Sequence, residues 1–374
     1  MDTMRVLELG NNISAPLACT ILGELGEDVI KVEPPQGDDR RKIELEGVKG
    51  LYFASVNRNK RSVSIDLKRK EGLEIFEELL STADVVVTNY RPRALSKLGV
   101  DFEEAVRVNP KVIYCSITGY GRREGDRPAY DATVLAESGL MDLTGYPGGP
   151  PSKFATSIAD VTTAMMAAIS VLHAYASDRR PVLLDVPMLQ TQLYLSLEDA
   201  YAVLNGGTSP TRTGSAHRYL VPYQAFRTSD GYVYVAVFND SQFLRLCDAI
   251  GREDLKAYST NSKRVRAKEI VVAEIQREME RETRDRWIDV LRRYDVPCAP
   301  VLTLGEAIRR YGEVTEVGAI KYLNFPLQTW VGLRRPSPGL GEHTVEVLEE
   351  LGYSREEVED MARKGIVKMM DRRA

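Results

Sequence analysis

Histidine and cysteine are scarce in this chain, and neither is clustered. Of 374 residues only three are histidine, His173, His217 and His343, too scattered to offer the paired ligands of a zinc site. No metal is expected. The four cysteines, Cys19, Cys115, Cys247 and Cys298, form no CxxC pair. They read as reduced thiols of a cytoplasmic protein, not as a disulfide framework. An excess of one charge is missing too: 50 Lys and Arg face 54 Asp and Glu, a net charge of −4. That balance argues against nonspecific nucleic-acid binding. No uninterrupted apolar run approaches a membrane span, so no membrane partner is expected. Met1 to Arg5 lead straight into a strand pattern and do not read as a signal peptide. Neither GxGxxG nor a Walker loop occurs. A nucleotide would have to bind by other means, and a dehydrogenase reading is disfavoured.

What is present is ample apolar material, 43% of the chain, with 28% charged residues. The length suits two domains with a sizeable core. The first third alternates strand and helix patterns. Arg5 to Leu9 reads as a buried strand, and Ala15-Pro16 opens a helix that Gly26 stops. Residues 28–33 and 62–67 are further strands, and 84–88 and 111–117 are apolar strands of the kind covered on both faces. Apolar residues recur at helical spacing over 71–80. Strands separated by helices predict a parallel, doubly wound α/β sheet. Ligands of such sheets lie beyond the strands' carboxyl ends, here residues 10–14, 34–41, 89–93 and 118–123.

Asp160 is the leading candidate for chemistry. It stands between a small, weakly polar approach, Phe154 to Ala159, and a long apolar run of helical spacing, Val161 to Tyr175. The free N–H groups and dipole of a helix start favour a negative charge. Asp160 is therefore expected to stay ionised while partly buried, as a carboxylate nucleophile or base requires. The same pattern fits a plain helix N-cap.

From about Gly206 a polar linker leads into two alternating segments, Tyr223 to Thr228 and Tyr232 to Phe238, around the turn Ser229-Asp230-Gly231. Helical patterns follow over 241–250, 267–282 and 287–294. This is a smaller α+β domain. Past about Leu304 loops and helices return, ending in the amphipathic segment 354–364.

Several blocks, in order, resemble class III CoA-transferases. They are Arg5 to Leu9, Ala15-Pro16, Gly26 to Pro34, Asn57 to Lys68, Asn89 to Gly99, Tyr130-Asp131, Ser138 to Met141, Ala159-Asp160 and Pro338 to Leu348. The resemblance spans nearly the whole chain. It implies a homodimer of two interlocked rings. Each would have a large Rossmann-like domain from residues 1–200 and 310–374, with a small domain over 215–305. It also implies that Asp160 is the nucleophile, a role compatible with a place at a helix start. Asp160 would attack an acyl-CoA thioester, and CoA would pass to a free carboxylic acid through aspartyl anhydride and thioester intermediates. Coenzyme A enters as the substrate thioester.

CoA carries phosphates, so cations should line its entrance. Arg40, Arg41, Arg91 and Lys97 are candidates at adjacent strand ends, Arg93 stands beside them, and Lys31 is either buried in its strand or at the edge. The resemblance adds Asn11, Asn12, Ser14, Asn89 and Tyr90 as CoA contacts, and Tyr130 and Asp131 as substrate contacts. Pro34 stands where formyl-CoA transferase carries an arginine, and that enzyme's glycine run is absent near Ala216 to Tyr219. The alternative in the same family is an α-methylacyl-CoA racemase. Its histidine-aspartate pair corresponds to Tyr130-Asp131, and tyrosine, with a pKa near 10, is a poorer base. Its second carboxylate falls near Asp240. A noncatalytic acyl-CoA-binding dimer is a third reading. Arg212, Arg218 and Arg227 are candidates to meet a second carboxylate of a dicarboxylic substrate.

Overall fold

A seven-stranded sheet organises the larger of two units in the computed structural model, which describes residues 3–124, 126–327 and 332–370. The strands lie in the order 367–368, 60–65, 28–33, 5–9, 85–88, 113–118, 182–187. All neighbours run parallel except the short 367–368 edge. The strands are Val- and Ile-rich because both faces are covered. Val6, Val29, Val85 and Ile113 pack toward one face with helices Ser14–Glu24 and Ile158–Ala176. Leu7, Ile30, Val63 and Val86 pack toward the other, with Phe76 and Leu79 of helix Lys70–Ser81. Each such side chain, fully buried, contributes about 1.5–3 kcal/mol.

The chain goes from strand 5–9 outward to 28–33 and 60–65, then returns to the other side of 5–9 for 85–88 and the rest. The strand order therefore reverses between 5–9 and 85–88. In open α/β sheets that point leaves a crevice at the carboxyl ends.

Beneath this point the sheet buries charge. Glu8, Lys31 and Lys60 are all fully buried. Lys31 Nζ lies 2.6 Å from Glu8 Oε1 and 3.0 Å from Asp38, and Lys60 Nζ lies 2.6 Å from Glu8 Oε2. Lys31 also donates to Gly10 O (2.9 Å). Lys60 donates to Pro16 O, Val56 O and Asn57 Oδ1 at 2.7–2.9 Å. One glutamate thus holds both ammonium groups, and without it Lys60 would be buried among neutral partners while Lys31 kept Asp38. Lys31 settles the sequence's alternative in favour of the interior.

Strands 182–187 and 367–368 are not legible as strands in the sequence. The first carries Asp185 in its middle and proline at its end. The second is two residues long and exists because strand 60–65 offers an edge. Helix Ile158–Ala176 is long and apolar enough to cross a membrane by length and composition. In the structure its small residues, Ala159, Ala164, Ala167 and Ala168, pack against helix 14–24 and the sheet.

The second unit comprises residues 142–152 and 210–312, the first unit the remainder. Residues 142–152, inside the span expected for the large domain, belong to this second unit. Its sheet has the antiparallel order 298–300, 232–236, 223–227, and helices 240–249, 268–279 and 284–293 cover it. Phe226, Val235, Phe243, Ile275 and Leu291 form its core. Pro300, which lacks an N–H to donate, sits on the outermost strand.

Candidate active site

The two loops at the strand-order reversal are tied together by one side chain. Asn89, just past strand 85–88, accepts from Asn11 N (3.1 Å) and donates to Asn11 O (2.8 Å) and Ser14 Oγ (3.1 Å). Gly10 is required here: a Cβ would meet Ala15 Cβ at 2.8 Å. Ser14 opens its helix and is 3% exposed. Its oxygen already accepts from Asn89, its O–H remains available as a donor, and Ser14 shares the cavity with Asp160 and pulls that carboxyl toward its ionised form.

Asp160 lies in the first turn of helix Ile158–Ala176 and is not its N-cap. Ser157 holds that position and makes no side-chain cap bond. The helix start is served instead by Asp131, whose Oδ1 accepts from Ala159 N (2.7 Å) and, more weakly, Asp160 N (3.4 Å). Burial first, and the Asp131 charge second, push the Asp160 carboxyl up to about 6, while Ser14 and Arg40 pull against them. The helix start acts in the opposite direction, favouring the charged form. Desolvation and a like charge outweigh it. Above pH 6 Asp160 is still mostly ionised.

A cavity of about 400 Å³ opens at this place. Asn11, Asn12, Ser14, Asn89, Tyr90 and Arg91 line one part of it, and Tyr130 and Asp160 another. Asn12 takes a left-handed backbone, φ 61°. Asp131 does not line the cavity and faces the Asp160 helix. Arg40 and Arg41, expected at a CoA entrance, do not line it either. Arg40 is 2% exposed and stacks on the Tyr52 ring at 3.6 Å. Arg41 grips Glu33 at 2.6 and 2.8 Å and donates to Pro338 O (2.9 Å). Lys97 is exposed on helix Pro92–Leu98, outside the lining.

Thr118, Gly119, Tyr120, Arg127 and Met188 also line the cavity. The first three stand at an expected strand end. Arg127 lies over the Tyr120 ring at 3.9 Å and pairs with Glu137. It left no sequence signal beyond its closeness to Tyr130, and Met188 follows a strand that the sequence does not announce. A Cβ on Gly119 would meet Ala129 Cβ at 2.1 Å, so glycine alone fits there.

In the second unit, Asp240 binds the buried Arg264 guanidinium (2.9 Å) and accepts from Asn261 N (2.9 Å), which gives it a structural role. Arg212 pairs with Asp142 (3.1 Å), Arg218 donates to Thr211 O, and the Arg227 backbone is bonded by the Gln276 side chain. His173 is exposed on the Asp160 helix, and His343 Nδ1 accepts from Ser62 N (3.2 Å). Among the described residues no group of three or more His, Cys, Asp or Glu is placed to hold a metal.

A family model described as CoA-transferase family III matches residues 1–344. The chain belongs to CoA-transferase family III. Succinyl-CoA:glutarate CoA-transferase from Homo sapiens is 31% identical over 396 residues, covering 98% of this chain and 90% of its own. Succinate–glutarate CoA-transferase from Agrobacterium fabrum is 34% identical, covering 94% and 95%. The crystal structure of a CaiB/BaiF family protein from Brucella suis superposes with a TM-score of 0.84 at 32% identity, covering 94% of this chain and 98% of that one. This family III member is an enzyme that transfers CoA, and its relatives do not favour the racemase reading.

Proposed function

We propose that the enzyme moves CoA from an acyl-CoA thioester to a free dicarboxylic acid through covalent intermediates on Asp160. The observation that carries this reading is a half-buried carboxylate, with Ser14 beside it in the cavity where the strand order reverses. In the first step an Asp160 oxygen attacks the thioester carbonyl, the C–S bond breaks, and CoA leaves as thiolate. The thiolate then attacks the Asp160 carbonyl of the anhydride and frees the first acid as its carboxylate. The acceptor carboxylate attacks the resulting aspartyl thioester and displaces the thiolate again. Finally the thiolate attacks the acceptor's acyl carbon, releasing the new thioester and the Asp160 carboxylate. Protons balance without a general acid, and the thioester's energy is held in the anhydrides. Water must be kept away, since hydrolysis is the competing outcome.

The dicarboxylic assignment rests on the names of the two transferases above. Arg91 and Arg127 are the cations of the cavity, suited to a phosphate or a second carboxylate. Homodimerisation with interlocked chains belongs to the same proposal. Apolar residues left exposed on one chain support it, Met165 and Ile169 on the Asp160 helix and Tyr194, Leu197, Tyr201 and Leu204 beyond it. Four free cysteines, three of them buried, support a cytoplasmic setting.

The test is to incubate the enzyme with succinyl-CoA and glutarate and follow both thioesters by chromatography. Glutaryl-CoA should appear as succinyl-CoA disappears, with the thioester total constant. Loss of thioester to hydrolysis alone, or no conversion across a panel of dicarboxylic acceptors, would contradict the reading. Asp160 must be ionised to attack, so kcat/KM of the free enzyme should rise with pH through a midpoint near 6. A profile flat from pH 5 to 8 would count against it.

A further inference from the structure

We propose that Asp131 is a positioning residue for Asp160, holding the start of the Asp160 helix from another element and placing a negative charge beside the reacting carboxylate. The inference rests on the reading of Asp160 as nucleophile and deepens it. Asp131 opens helix Asp131–Glu137, 29 residues before Asp160. Its Oδ1 takes the Ala159 N–H at 2.7 Å and lies 3.4 Å from Asp160 N. Asp131 is not part of the cavity lining; what it touches is the start of the Asp160 helix.

A cap alone does not account for this placement. Ser157 stands at the local N-cap and is a preferred capping type, yet its side chain makes no cap bond. A neutral acceptor would satisfy the same N–H groups without setting one carboxylate against another. The Asp131 charge raises the Asp160 carboxyl further than burial alone and makes it more basic than a carboxylate without that neighbour. Burial and Asp131 together push the Asp160 carboxyl up, in that order. The opposing groups come from other elements: the Ser14 hydroxyl from the first helix start, and the buried Arg40 guanidinium from the turn Asp39–Lys42. Arg91, Arg127 and Tyr130 share the cavity with Asp160.

The two parts of the role separate in two variants. Asp131→Asn keeps an oxygen for the Ala159 N–H and removes the charge, and Asp131→Ala removes both. The Asp160 carboxyl carbon, assigned by the resonance lost in Asp160→Asn, is titrated by 13C NMR in parent and variants without substrate. Its midpoint should fall by about one pH unit in Asp131→Asn, and the acid limb of kcat/KM should move down with it. Asp131→Asn should also keep at least about ten times the plateau kcat of Asp131→Ala, because geometry survives in the first alone. An unmoved Asp160 midpoint in Asp131→Asn, or equal plateau rates in the two variants, overturns the proposal. If Asp131→Ala does not fold, the Asp131→Asn titration decides. The titration needs no turnover, so it separates this proposal from the nucleophile reading: a shifted midpoint with no covalent adduct at Asp160 would sink only the latter.

Discussion

Asp160→Asn should lose CoA transfer by at least about ten-thousandfold and still fold. An amide oxygen cannot displace CoA thiolate at a useful rate, and loss of a covalent nucleophile removes the whole double-displacement route. The fold should survive because the Asp160 side chain does not cap its helix. That work belongs to Asp131. Stability should in fact not fall. The folded pKa of Asp160, about 6, lies above its ordinary value of 3.8. Such a carboxyl favours the folded state while protonated, and that contribution is lost as pH rises through 6. At pH 8 the parent therefore carries an ionised, partly desolvated carboxylate that the amide variant lacks. Thermal melts at pH 8 should place Asp160→Asn at or above the parent, and kinetics on the same samples should show the loss. A variant that keeps more than a hundredth of the activity would remove Asp160 from the centre of the account.

Glu8→Gln should lower stability by about 3–5 kcal/mol, the cost of removing one partner from a buried ionic group. Glu8 is the shared counter-charge of Lys31 and Lys60, and all three are fully buried. Without it Lys31 keeps Asp38, whereas Lys60 keeps only two carbonyls and the Asn57 amide oxygen. Burial, followed by the neighbouring Lys31, already outweighs the help Glu8 gives and holds the Lys60 ammonium below its usual value. In the variant those effects act unopposed by Glu8. The unfolded chain then binds a proton that folded Lys60 sheds, so the variant's stability should climb as pH rises from 7 to 9.5. Denaturant unfolding at the two values checks both the size of the loss and its pH slope. A loss under 1 kcal/mol at pH 7, with no slope, would mean that the charges are not held as described.

The parallel sheet was legible because its strands are continuous apolar runs between amphipathic helices. The carboxyl-end loops that build the cavity follow from that order alone. The position of the strand-order reversal was not legible. It depends on which side of strand 5–9 receives strand 85–88, a pairing between segments about eighty residues apart. Asn11, Asn89 and Asp160 were found partly through resemblance, but their mutual arrangement needed coordinates. Arg40 and Arg41 show the opposite limit. An arginine in a loop beside a strand end reads as a ligand contact, yet Glu33 and the Tyr52 ring claim these two. Glu33 is itself a strand residue, and a sequence does not say which neighbouring strand or loop will bring it a partner. From its motif alone Asp131 reads as a substrate contact. Its bond to the Asp160 helix spans two elements that only tertiary packing brings together.

The most direct measurement is mass spectrometry of the enzyme incubated with succinyl-CoA and quenched with hydroxylamine. The account requires a hydroxamate on the peptide containing Asp160, formed only when the thioester is present and missing in Asp160→Asn. Turnover of succinyl-CoA with no modification on that peptide, or a hydroxamate on another carboxylate, would contradict it.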